Sequence, residues 1–204
     1  GPRAVALQAD VTDAAAVQRL FAAARERTGA SISAVVNNAL AQFSFDGDAR
    51  PKLGEIAWER FSQQIEGAVK GALNTMQAAL PAMRAQGFGR IVNISSGLAR
   101  FSLPGYGTYA AMKGAMEVLT RYQAKELGAR GISVNTLAPG AIETDFGGGT
   151  VRDNAQVNQM IADNTALGRV GLPDDIGAAI ALLLAPGSQW INGQRVEASG
   201  GMFL

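Results

Sequence analysis

Short apolar runs alternate along the chain with longer segments in which apolar residues recur every three or four positions. The short runs are rich in alanine and β-branched residues and have the length of strands. The longer segments have the 3.6-residue period of amphipathic helices. This pattern predicts strands at residues 4–9, 34–36, 90–94, 132–137 and 194–198. It predicts helices from a cap at Thr12 or Asp13 to about residue 28, at 55–84, at 108–127, around 157–161, and from Pro173 to about 186.

Glycine and proline separate these elements. Residues 40–54 contain the breakers Gly47, Pro51 and Gly54, and residues 141–170 contain three consecutive glycines at 147–149. Strands that alternate with helices and are continuously apolar indicate a mostly parallel, doubly wound sheet covered on both faces. Ligands of such sheets bind beyond the carboxyl ends of the strands. The strands are followed at those ends by Asp10, Asn37-Asn38, Ser95-Ser96 and Pro139-Gly140, which should therefore meet in one cleft.

Composition limits the kinds of chemistry that remain. The 204 residues show no repeat or linker and predict one domain spanning residues 1–204. A net charge of +1 without a basic stripe argues against nucleic acid as a partner. The chain has no cysteine and no histidine, so proton transfer must use Tyr, Lys, Ser, Asp or Glu, and we expect no metal. No apolar run approaches the ~20 residues of a membrane span, so we expect a soluble, cytoplasmic protein with no membrane partner.

The strongest chemical signal is the pair Tyr109 and Lys113. Four residues apart on a helix, the two side chains lie on one face. An ammonium beside a phenol should lower the tyrosine pKa and make Tyr109 a proton donor and acceptor. Ser96, at the end of the preceding strand, could supply a hydroxyl to the same point. A solvated pair on an amphipathic helix is the alternative, and the surrounding order of elements favours the functional interpretation.

That order is a strand, Ser95-Ser96, a glycine loop, Tyr109-x-x-x-Lys113 and a strand ending in Pro139-Gly140. It resembles the short-chain dehydrogenase/reductase family, and within it the 3-oxoacyl-carrier-protein reductases. The resemblance implies a Rossmann-like fold and hydride transfer between a nicotinamide and a carbonyl or secondary alcohol, such as a 3-oxoacyl thioester or a similar ketone. It assigns the catalytic positions to Ser96, Tyr109 and Lys113.

The resemblance also implies the cofactor, NADP or NAD, with NADP favoured. Asp10 and Val11 match positions near the adenine ring, although a helix cap explains Asp10 equally well. Asn37 and Ala39 match a segment that supports the strand and lines the cofactor ribose, with Leu40 in place of a glycine. The remaining cofactor positions implied by the family are Tyr109, Lys113, Pro139, Gly140 and Thr144.

Several features depart from the family. No Gly-x-Gly-x-x-Gly fingerprint occurs, so we expect the chain to lack the family's first strand–helix–strand unit. Many members carry an asparagine on the long helix that helps to hold a water in the proton relay, and Ala68 stands at that position. Gln64, one turn earlier, is the candidate to reach that water instead.

These departures leave two alternatives to an active enzyme. One is a catalytically weak, nucleotide-binding regulator, and the other is a non-catalytic subunit or fragment. We further expect residues 145–170, with Phe146, Val151 and Met160, to form a lid over a small-molecule substrate. The helices at 55–84 and 108–127 lie where relatives form dimers and tetramers, so a homo-oligomer is expected.

Overall fold

Four parallel strands form the centre of the fold in the part of the chain that the structure describes. The computed structural model describes residues 4–40 and 52–204; the predicted breakers Gly47 and Pro51 lie outside them. The strands lie in the order β1-β2-β3-β4 and every pair is parallel. Their bounds are β1 Ala34–Asn37, β2 Gly89–Ile94, β3 Ile132–Pro139 and β4 Arg195–Ala198. The predicted class, an α/β fold with a parallel sheet, is confirmed.

Helices connect these strands. Their bounds are α1 Ala14–Thr28, α2 Trp58–Ile65, α3 Gly71–Gln86, α4 Gly107–Leu127, α5 Thr150–Asp153, α6 Ala155–Asp163 and α7 Pro173–Leu184. Asp13 rather than Thr12 caps α1, because its carboxylate accepts from the backbone N–H groups of Ala15 and Ala16 at 2.8 and 3.1 Å. Within the described ranges, no helix is both long and apolar enough to cross a membrane.

The sheet is buried on both faces. On one face Met83 of α3 packs against Ile91 and Ile132, which are 1% exposed. On the other face Leu183 of α7 packs against Val92 and Leu137. Because successive strand residues point to opposite faces, the continuously apolar strands supply a core to both helical layers.

Two predicted elements differ from the structure. Residues 4–9 do not form a strand, since β1 is hydrogen-bonded only to β2 in the described part of the chain and no strand pairs with this segment. The helix predicted at 55–84 begins at Trp58 and is interrupted by a π-helical segment, Glu66–Lys70. A π segment widens one turn of a helix, and periodicity alone does not reveal it. Ala68, inside this segment, packs against Tyr109 of α4.

Candidate active site

Ser96 is held at the carboxyl end of β2. The preceding residue, Ser95, continues the sheet by donating its N–H to the Leu137 carbonyl at 2.7 Å. Ser96 is extended, and its Oγ accepts from the Leu98 N–H at 3.2 Å, which caps the 3₁₀ turn Gly97–Ala99. A Cβ at Gly97 would lie 2.8 Å from the Phe101 ring, so a glycine is needed for this turn to approach that ring. The turn therefore presents the Ser96 hydroxyl toward α4.

Tyr109 and Lys113 lie in the first half of α4 and are buried, with 9% and 6% of their surface exposed. The Tyr109 hydroxyl is hydrogen-bonded to the Ser96 side chain. The Lys113 Nζ lies 5.6 Å from the centre of the Tyr109 ring and donates to the Ile94 carbonyl at 2.6 Å. The structure thus brings together the three residues that the sequence placed in one catalytic group.

Burial sets the acidity of both groups. It raises the pKa of Tyr109 to about 12, although the hydrogen bond with Ser96 acts in the opposite direction. It lowers the pKa of Lys113 to about 8. The prediction that Lys113 lowers the Tyr109 pKa from its usual value is therefore wrong for this structure. Loss of hydration around the phenol dominates, and the ammonium donates to the Ile94 carbonyl.

A cavity of about 290 Å³ lies beside this group, and all four residues of β1 contribute to its wall. Val11, Asn37, Ala39 and Lys113 line it, so four of the predicted cofactor positions share one space. The Val11 carbonyl accepts from the Asn74 Nδ2 at 2.9 Å, which fixes the loop before α1 against α3. This loop reaches the cavity even though residues 4–9 are not a strand.

Asp10 lies at the exposed margin of the same loop. Its carboxylate accepts from both the N–H and the hydroxyl of Thr12 at 2.8 Å. The backbone hydrogen bond, followed by the hydroxyl hydrogen bond, lowers the pKa of Asp10 below its usual value. Asp10 therefore closes an Asx turn, while the capping of α1 falls to Asp13.

Asn37 has its amide engaged inside the protein. Its Nδ2 donates to the Asn93 Oδ1 at 2.7 Å, and its Oδ1 accepts from the Thr75 hydroxyl at 2.6 Å. Asn93, which is fully buried, donates in turn to the Thr120 hydroxyl at 2.8 Å. The predicted support of the strand is thus visible as a hydrogen-bonded chain that joins α3, β1, β2 and α4.

The positions expected around the nicotinamide follow β3. Pro139 pairs with Ala198 at the end of the sheet, and the Gly140 N–H donates to the Ala198 carbonyl at 3.2 Å. A Cβ on Gly140 would lie 2.9 Å from the Ser199 Cα, so the segments that follow β3 and β4 can approach this closely only at a glycine. The Thr144 hydroxyl accepts from the Phe146 N–H at 3.2 Å, just before the predicted lid.

Ala68 and Leu40, the two departures from the family pattern, both lie beside the predicted catalytic residues. They pack with Tyr109 and Met112 in one apolar cluster. The Gln64 Oε1 is buried and has no hydrogen-bond partner in the described part of the chain. A buried amide oxygen in that state favours a bound water or ligand group, which agrees with the role expected of Gln64.

The predicted lid begins beside Tyr109. The Phe146 ring centre lies 6.0 Å from that of Tyr109, and Phe146 is half exposed. The following glycines, Gly147–Gly149, all have positive φ, which makes the sharp turn into α5. The predicted lid, residues 145–170, contains two cationic residues, and both are in ion pairs: Arg152 lies 2.6 Å from Asp145 and 2.7 Å from Asp153, and Arg169 lies 2.7 Å from Asp175.

Sequence reasoning missed an ionic group behind Ser96. Glu117 of α4 and Arg195 of β4 form an ion pair at 2.7 Å although they are 78 positions apart. Two local signals pointed to it. Glu117 follows Lys113 by four residues and so lies on the same face of the helix. Arg195 and Glu197 are two positions apart on a strand and so point to the same face of the sheet.

Comparisons with known proteins give one consistent result. A family model described as enoyl-(acyl carrier protein) reductase matches residues 1–203. The chain is 35% identical to the dehydrogenase OXI1 of Cochliobolus heterostrophus, covering 99% of this chain and 85% of that protein.

Two solved structures extend the likeness to the fold. The 3-oxoacyl-[acyl-carrier protein] reductase of Brucella melitensis, solved with bound NAD, is 32% identical with a TM-score of 0.84, over 99% of this chain and 72% of that one. The gluconate 5-dehydrogenase of Burkholderia cenocepacia J2315, in complex with NADP and tartrate, is 31% identical with a TM-score of 0.83, over 94% of this chain and 72% of that one.

Proposed function

Because the chain belongs to the short-chain dehydrogenase/reductase family, with its Rossmann-like fold, we propose that it transfers a hydride between NADP or NAD and a carbonyl or secondary alcohol. The observation that carries this proposal is the contact of Ser96 with Tyr109 beside a buried Lys113 at the strand ends. Three groups that manage the proton of a carbonyl or alcohol meet there in a site shielded from water.

Residues of the cavity wall would hold part of a nicotinamide dinucleotide. Solved relatives hold NAD or NADP, and the cavity wall combines the apolar Val11 and Ala39 with the Lys113 ammonium, a donor for ribose hydroxyls. The carboxyl end of β3 lies at the same edge of the sheet as that of β1. The residues there that would border the nicotinamide are Pro139, Gly140 and Thr144. When bound, the cofactor supplies or accepts the hydride.

The protein's own residues would manage the proton. Ser96 would donate a hydrogen bond to the substrate oxygen and stabilise the negative charge that develops on it during reduction. Tyr109, whose pKa is about 12, is a protonated phenol at neutral pH and is set to donate a proton in the reductive direction. The oxidative direction needs the phenolate and should therefore accelerate as the pH rises.

Replacing Tyr109 by phenylalanine tests this mechanism. The ring and its packing remain, but the proton is lost, so kcat should fall by at least about 100-fold while the Kd for NADPH changes little. The assay follows NADPH absorbance with a 3-oxoacyl thioester, an aldehyde and a ketone of a sugar acid. Tyr122→Phe, at a 66% exposed tyrosine on the same helix, is the matched control. Turnover by Tyr109→Phe at the wild-type rate would refute the assignment.

For the substrate we propose a 3-oxoacyl thioester or a similar ketone that passes under the Phe146 lid. Carrier-protein and coenzyme A thioesters bear phosphates, and a cationic side chain at the entrance to the active site would attract them. Both cations of the lid already face carboxylates, Arg152 those of Asp145 and Asp153 and Arg169 that of Asp175, so they offer such a substrate little additional attraction. Recognition should therefore depend on the acyl part of the substrate.

A second candidate is a nucleotide-binding regulator of low activity. Ala68 favours it, because its methyl group cannot hold a water for proton transfer. Titration of the protein with NADPH and NADH, followed by fluorescence, separates the possibilities. Binding with turnover supports the enzyme, binding without turnover supports the regulator, and no binding supports a non-catalytic subunit or fragment.

We also propose a cytoplasmic homo-oligomer, a dimer or tetramer. Trp58 of α2, 69% exposed, and Val118 and Tyr122 of α4, 45% and 66% exposed, give these helices apolar outer surfaces. Light scattering after gel filtration measures the assembly, and a monomer at micromolar concentration would refute it.

A further inference from the structure

Arg195 makes two contacts behind the Ser96 turn. Its Nη2 donates to the carbonyl of Ser96 at 3.3 Å, and its Nε donates to the Glu117 Oε1 at 2.7 Å. The same Oε1 accepts from the Ser95 hydroxyl at 2.7 Å. The Ser95 hydroxyl also lies 3.3 Å from the Lys113 carbonyl. Arg195 is thus connected directly to the backbone of Ser96, and to α4 and the Ser95 hydroxyl through Glu117.

A second carboxylate anchors Arg195 from the other side. Glu197 accepts from the Arg195 Nη1 at 2.7 Å and from the Arg100 Nε and Nη2 at 2.9 and 2.8 Å. Burial raises the pKa of Glu197, but the hydrogen bonds from Arg100 and Arg195 outweigh it and the pKa falls to about 2. Arg100 also donates to the Met202 carbonyl at 2.7 Å. Two guanidiniums and two carboxylates therefore form a neutral network, with the side chains of Glu117, Arg195 and Glu197 15 to 23% exposed.

The geometry points to Arg195 as a positioning residue for Ser96, a role that rests on the proposed function. The Ser96 carbonyl and Oγ belong to one residue, so fixing its peptide plane restricts the direction of its Cβ. The planar guanidinium suits this task, because it donates in three fixed directions at once, which a lysine does not do. Neither Arg195 nor Glu117 is placed to touch substrate, and both act through Ser96 and the start of α4.

Stability alone does not explain this arrangement. An ion pair of this kind stabilises a fold only modestly, since desolvation offsets much of the attraction. The contact with the Ser96 carbonyl gives the network a specific effect instead. A hydroxyl that must meet a substrate oxygen loses catalytic effect when it is displaced by about 1 Å.

A double-mutant cycle on kcat tests the role, with NADPH and S-acetoacetyl-N-acetylcysteamine as substrates. Arg195→Met should lower kcat about 10-fold, with the KM for NADPH within twofold of wild type. Ser96→Ala should lower kcat about 100-fold in the wild type but only about 10-fold in Arg195→Met, because the serine is already misplaced there. If Arg195→Met does not fold, Glu117→Gln takes its place in the test. It keeps the shape of the network and should lower kcat about threefold. Arg19→Met, at an exposed ion pair on α1, is the control.

The outcomes separate this inference from the proposed function. If the wild type neither binds nor turns over any substrate of the panel, both the proposed function and the positioning role are overturned. An active wild type in which the Ser96 and Arg195 effects multiply independently, or in which Glu117→Gln retains full kcat, overturns the positioning role alone. A fall in melting temperature without a change in kcat also overturns it.

Discussion

Replacing Lys113 by methionine should change how the stability of the fold depends on pH. Lys113 is 6% exposed, and burial lowers its pKa from 10.5 to about 8. The unfolded chain therefore holds the proton up to a higher pH than the folded chain does. Between about pH 8 and 10.5 the unfolded state binds more protons, so the free energy of unfolding rises with pH in this window. Below pH 8 both states are charged and the penalty of the buried charge is fully present.

The size of the effect follows from the two pKa values. At about 1.4 kcal/mol for each unit of pKa, the linkage relation gives an increase of roughly 2.5 kcal/mol between pH 7 and pH 10. The wild type should gain this amount relative to Lys113→Met. The variant lacks the hydrogen bond to the Ile94 carbonyl at both pH values, and Tyr109 is present in both proteins. The comparison between two pH values therefore isolates the titration of Lys113.

Urea unfolding at pH 7 and pH 10, for the wild type and the variant, measures the difference. Lys125→Met, at an exposed lysine in the last turn of the same helix, is the matched control and should show no comparable change. A difference between wild type and Lys113→Met that stays constant within about 0.5 kcal/mol across this range would refute the reasoning. It would mean that Lys113 keeps its proton in the fold as easily as in water.

Three other expectations follow from particular contacts. Asn93→Ala leaves the partly buried Nδ2 of Asn37 and the buried Oε1 of Gln123 without the partner they have in Asn93, which should cost about 3 kcal/mol and lower the melting temperature by roughly 10 °C in calorimetry; an unchanged melting temperature would contradict the network. Gly131→Ala places a Cβ onto the Gly87 carbonyl oxygen at a positive φ and should cost more than about 2 kcal/mol in urea unfolding, whereas Gly29→Ala, at a positive φ with open space around it, should cost about 1. Acetoacetyl coenzyme A should show a kcat/KM within about threefold of its uncharged N-acetylcysteamine analogue, and a large, salt-sensitive preference for the coenzyme A thioester would show a cationic mouth.

Local patterns in the sequence determined most of the fold. The period of apolar residues located the four strands of the described sheet and the helices α1, α4 and α7, because a strand or helix places its side chains by a geometry that depends only on spacing. The same geometry placed Tyr109 and Lys113 on one face of α4. Parallel strands end at one edge, so Asn37, Ser96 and Pro139 were expected together, and the structure brings them there.

Tertiary structure decided what depends on distant neighbours and on burial. Residues 4–9 have the composition of a strand, but a strand also needs a paired neighbour. The Tyr109 pKa moves upward because of the water excluded around the phenol, which no spacing of residues reveals. Arg195 reaches Glu117 and the Ser96 carbonyl across 78 and 99 positions because β4 lies beside β3. The spacing of residues along one helix or strand can be read from the sequence. The burial of a side chain and the contacts between distant elements exist only once the chain has folded.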